Sequence, residues 1–111
     1  MRKLVLPGLA AVALVATGCA GSRASSEPVD TTGVEMVKSY RFEPEVIVIN
    51  AGDTVTWTND DNFTHTVQVD GQKDHKVGQG ESVEISFDEA GTYDYVCTLH
   101  SQDMDGTVIV K

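Results

Sequence analysis

From Val34 to Lys111 the sequence carries no helical apolar periodicity of useful length. Short β-type runs recur instead, each closed by turn residues. Val46-Ile47-Val48-Ile49 is β-branched throughout and ends in Asn50-Ala51-Gly52-Asp53. Thr54 to Thr58 alternates, with Val55 and Trp57 on one face, and His65 to Val69 alternates before an Asp70-Gly71 turn signal. Ser82 to Phe87 aligns Val83, Ile85 and Phe87; Thr92 to Cys97 aligns Tyr93, Tyr95 and Cys97; Gly106 to Lys111 aligns Val108 and Val110. A weaker strand is expected over Val34 to Ser39. The segment Gln72-Lys73-Asp74-His75-Lys76 reads as a polar loop with a solvated His75. A chain of this kind folds as an all-β sandwich or barrel of about seven to eight strands.

Parity then makes a chemical statement. Side chains two apart on a strand share a face. His65 therefore points inward with Val67 and Val69, and Cys97 points inward with Tyr93 and Tyr95. Two groups able to bind a metal are predicted at strand ends, facing the apolar interior.

The N-terminal segment is of another kind. Arg2 and Lys3 precede an uncharged run of 14 residues, Leu4 to Thr17, which suits a signal-peptide core better than a membrane span. The run ends in Ala16-Thr17-Gly18-Cys19, which resembles a bacterial or archaeal lipobox. That resemblance implies cleavage after residue 18 and a lipid on Cys19. The expected organisation is a leader over 1–18, a lipid-anchored Cys19 with a Ser- and Gly-containing spacer over 19–33, and a folded domain over 34–111. The rival is an ordinary secretory signal, with Cys19 an incidental residue. Either way the domain is exported, and lipidation would hold it at the outer side of the cell membrane.

Composition narrows the partners. The 111 residues carry 8 Lys and Arg against 17 Asp and Glu, a net charge of -9, and loss of Arg2 and Lys3 with the leader takes this to -11. So acidic a domain suits neither nucleic acid nor an anionic membrane surface. Acidic residues spread over most loops read as a solubilising surface, and no feature calls for an oligomer. Of the 2 cysteines, Cys19 is the residue the lipobox resemblance gives to the lipid. Cys97 is thus a lone thiol in an oxidising compartment, a liability unless something occupies it.

The residues after Cys97 supply that something. His100 follows at three positions and Met104 at seven, so with His65 the chain offers two imidazoles, a thiolate and a thioether. Thiolate and thioether favour Cu(I), imidazole suits Cu(II), and a trigonal His2Cys set with a weak axial Met is the blue-copper arrangement. Zinc sites seldom use Met, and a nucleophilic thiol would need exposure and an oriented base. An immunoglobulin-like sandwich would need a second Cys in an early strand, which the chain lacks.

On these residues the sequence resembles the cupredoxin family, in its small plastocyanin- or amicyanin-like form. The motifs are Tyr40-Arg41-Phe42-Glu43-Pro44, Ala51 to Asn59, His65-Thr66-Val67, Ala90-Gly91-Thr92-Tyr93, and Cys97 to Val110. The resemblance implies a Greek-key sandwich with one type 1 copper ion, ligated by His65, Cys97, His100 and Met104, that carries single electrons and transforms no substrate. Three residues separate His100 from Met104, where family members usually have two or four. The amide of Gln102 is therefore an alternative axial ligand, and Asp103 a weaker one. Asp103 and Asp105 flank the loop and are expected to lower the potential and to steer a redox partner with a basic docking face. Copper storage, sensing or delivery is the alternative function.

Overall fold

The structure is a computed structural model, which describes residues 27–101 and 103–111. The leader, Cys19 and Gln102 lie outside these residues. Among the described residues ten strands form two sheets: β1 (Val29–Asp30), β2 (Gly33–Val37), β3 (Arg41–Glu43), β4 (Val46–Ile49), β5 (Asp53–Asn59), β6 (His65–Val69), β7 (Asp74–Val77), β8 (Ser82–Phe87), β9 (Gly91–Val96) and β10 (Asp105–Val110). One sheet runs β1-β4-β10-β9-β6-β7 and the other β3-β2-β5-β8. Successive strands repeatedly change sheet, so β4 lies parallel to β10 and β2 parallel to β5, while β5–β8, β6–β9 and β9–β10 pair antiparallel.

The inward residues predicted by alternation form the core. Val55 and Trp57 from β5, Val67 and Val69 from β6, Ile85 and Phe87 from β8, Tyr95 from β9 and Val108 and Val110 from β10 are buried. The Trp57 and Tyr95 rings meet edge-on at 5.1 Å, and Phe42 meets Tyr95 at 4.8 Å. Tyr93 turns its hydroxyl back to donate to the Glu89 carbonyl at 2.8 Å, closing the corner that precedes β9.

Three strands escape the sequence reading. β1 and β3 are two and three residues long, too short for a periodic signal, and β1 draws Val29–Asp30 of the expected spacer into pairing with β4. β7 corrects the polar loop assigned to residues 72–76: it is an edge strand paired with β6, and His75 sits half-buried opposite Val67. An edge strand with charged residues at alternate positions reads as a loop because one of its faces is solvated.

Candidate metal centre

All four sequence-predicted ligands lie at one end of the sandwich, at the start of β6 and in the segment that joins β9 to β10. His65 opens β6, Cys97 follows β9, His100 closes a single 3-10 turn over Thr98–His100, and Met104 immediately precedes β10. His65, Cys97 and Met104 are fully buried, while His100 is half-buried. The loop is held by its own main chain. The Cys97 N–H donates to the Met104 carbonyl at 3.0 Å, and the His100 and Met104 N–H groups donate to the Cys97 and His100 carbonyls, each at 3.0 Å.

His65 Nδ1 lies 3.8 Å from Cys97 Sγ. Its other nitrogen, Nε2, is 2.9 Å from Oδ2 of Asp61, whose side chain is almost completely buried. An ionised carboxylate only accepts, so Nε2 carries the hydrogen and Nδ1 keeps its lone pair toward the sulfur, the tautomer a metal ligand needs. Burial works to raise the Asp61 carboxyl. The hydrogen bonds with His65 and the Asn62 N–H, together with the nearby Lys38 charge, outweigh it and leave the group below its ordinary range.

Asp61 is held by Asn59, also fully buried. Asn59 Oδ1 accepts the Asp61 N–H at 2.8 Å, and its amide donates to the carbonyls of Phe63 at 2.7 Å and Val77 at 2.9 Å. The sequence reading gave neither residue a role, since Asn59-Asp60-Asp61-Asn62 looks like an ordinary polar turn. Asp61→Ala strands the buried Nε2–H and is expected to cost about 1–3 kcal/mol in the metal-free protein. Asp61→Asn, which keeps an acceptor, should cost less. Thermal denaturation compares them, and equal stability of Asp61→Ala and wild type would refute the role.

The sulfur receives the Thr66 N–H at 3.4 Å, and the Thr66 hydroxyl lies at 3.7 Å. Around His100 the surface is apolar. Tyr40 stacks on it with ring centroids 4.3 Å apart and 33° between planes, and Phe63 and Leu99 are each 56% exposed. Tyr40 and Ser39 both adopt left-handed backbone, φ 58° and 75°, unusual for residues other than glycine. The strained turn delivers the Tyr40 ring to His100 and, edge-on at 6.0 Å, to His65.

Among the described residues no three His, Cys, Asp and Glu side chains form a ready-made metal cluster. The donors in contact are His65 and Cys97; the His100 ring lies 5.3 Å from that of His65, and the fourth donor is a thioether. Sulfur, two imidazoles and a buried methionine suit copper far better than a hard cation.

The sequence matches the profile of the cupredoxin-like domain over residues 8–110. The chain belongs to the cupredoxin-like family. It is 33% identical to amicyanin from Paracoccus versutus, across 98% of this chain and 97% of that one. It is 37% identical to plastocyanin from Scenedesmus fuscus, across 63% of this chain and 86% of that one. Among solved structures, a methionine-to-alanine mutant of amicyanin in its Cu(I) form superposes with a TM-score of 0.64 at 32% identity, covering 71% of this cupredoxin and 80% of that chain.

Proposed function

We propose that this cupredoxin is a one-electron carrier with a mononuclear type 1 copper site. His65 through Nδ1, Cys97 and His100 are the strong ligands and Met104 the weak axial one. The observation that carries the reading is the fully buried pair of His65 Nδ1 and Cys97 Sγ, with the His65 tautomer fixed by Asp61. Copper held there would supply a Cu(I)/Cu(II) couple that thiolate, thioether and imidazole together tolerate in both states.

The protein's part is to keep the donors still and dry. Backbone hydrogen bonds fix the loop from Cys97 to Met104, and core side chains exclude water from the sulfur. His100 is the half-buried donor, so an electron would leave through its ring, within the apolar rim of Tyr40, Phe63 and Leu99. The relatives support electron transport and export from the cytoplasm. Anchoring through a lipid on Cys19 extends that reading, as does docking by a basic partner to so acidic a domain.

Met104→Gln tests the axial assignment. The copper-loaded variant should keep a thiolate band but shift it, with a lower midpoint potential, and an unchanged spectrum and potential would remove Met104 from the site. Asp103 and Asp105 are exposed on either side of Met104. Charges about 10 Å apart in water interact by about 0.4 kcal/mol. Replacing both with Asn should therefore raise the potential modestly and weaken the salt dependence of association with a basic partner. A potential that stays put or falls would contradict the assignment.

A further inference from the structure

The Thr66 hydroxyl stands between two acceptors. Its Oγ1 is 3.7 Å from Cys97 Sγ and 2.9 Å from Thr98 Oγ1, and it accepts the Thr98 N–H at 2.7 Å. Thr98 Oγ1 in turn donates to Asp74 Oδ2 at 2.8 Å. Counting hydrogens fixes the direction of this chain. A carboxylate only accepts, so the single hydroxyl hydrogen of Thr98 is committed to Asp74. Thr98 Oγ1 then has only lone pairs to offer, and Thr66 must be the donor in the 2.9 Å contact. Cys97 Sγ, the more distant acceptor, keeps the Thr66 backbone N–H and loses the hydroxyl.

We propose that Asp74, an exposed residue at the start of β7, is a positioning residue for the metal centre: it orients the Thr98 and Thr66 hydroxyls so that a second hydrogen bond is withheld from the Cys97 sulfur. The inference rests on Cys97 being a copper ligand. A hydrogen bond to a ligating thiolate reduces its donation and favours the reduced metal, so hydrogen bonding around the sulfur tunes the potential. By withholding one, Asp74 keeps the potential low. Thr66 is buried, so if its present acceptor is removed its hydroxyl has the sulfur to turn to, not water.

The test is a double-mutant cycle on the copper-loaded full chain, read by midpoint potential. Asp74→Ala frees the Thr98 hydroxyl to donate inward, which turns the Thr66 hydrogen onto the sulfur. Thr98→Val has the same consequence with no change in charge. Each should favour Cu(I) over Cu(II) by about threefold, or about 30 mV at 59 mV per tenfold for one electron. Thr66→Val alone should change little, and added to either variant it should abolish the rise, apart from the small charge effect of Asp74→Ala. The inference is overturned if Thr66→Val alone lowers the potential, which would mean its hydroxyl already serves the sulfur. It is overturned equally if Thr98→Val lowers thermal stability but leaves the potential where it was, since the chain would then only tie β7 to the loop. A wild-type protein without a blue band would refute the copper reading instead. The hydrogen direction is then still read in the metal-free protein by NMR: a nuclear Overhauser contact from the Thr66 hydroxyl to the Thr98 side chain upholds it, and one to the Cys97 β-protons overturns it.

Discussion

Cys97→Ser is expected to abolish the intense visible band of the copper-loaded protein while leaving the metal-free fold nearly intact. The band requires a thiolate donating charge to Cu(II), and no other described residue offers one, since Cys97 is the free cysteine of the described chain. The serine hydroxyl fits the same space and can still accept the Thr66 N–H, so the cost to the fold should be about 1 kcal/mol. Copper affinity should fall by more than the roughly 10–100-fold that loss of an outer-shell partner costs. Spectra and competitive copper titrations of the two proteins measure both effects. A variant that stayed blue would remove Cys97 from the centre.

The largest effect on stability is expected at Gly106, which faces Tyr95 across β9 and β10. A β-carbon there would fall within the Tyr95 phenol and 2.7 Å from the Glu45 carbonyl oxygen. Neither neighbour can give easily. Tyr95 is locked between Phe42 and Trp57, and the Glu45 carbonyl already accepts the Thr107 N–H at 2.8 Å where β10 joins β4. Gly106→Val must expel the tyrosine from the core or part the two strands. Overpacking of this kind costs about 3 kcal/mol, since a backbone atom cannot rotate away. At about 4–8 °C per kcal/mol for a domain of this size, the melting temperature should drop by roughly 15 °C. Gly106→Ala should show a smaller loss in the same direction. Unchanged melting of the valine variant would mean that the close approach is not real.

Most of the core and the inward turn of His65 and Cys97 could be read from alternation, because a strand with one buried face writes its period into the sequence. Val55, Trp57, Tyr95 and Val108 were placed by that rule and are buried. The rule fails where burial depends on contacts between distant segments. Thr66 is buried on the wrong parity for β6 because the turn after Cys97 packs over it, 32 positions away along the chain. Asn59 and Asp61 are polar residues in a turn-like run, and only the fold reveals that one braces the loop and the other fixes the His65 tautomer. Tyr40 opens the segment Tyr40 to Pro44, but its stacking on His100 depends on two left-handed residues that no periodicity announces. β7 was missed for the converse reason: an edge strand needs only one covered face, and its charges read as loop.

The most direct test of the electron-carrier reading is a Cu(II) titration of the metal-free protein, followed by visible absorption through one cycle of reduction and reoxidation. An intense thiolate-to-copper band that saturates at one copper, bleaches with a reductant and returns on oxidation is the predicted result. A colourless or pale complex, or a blue one that does not return, would contradict electron transfer at this site and favour copper storage or delivery.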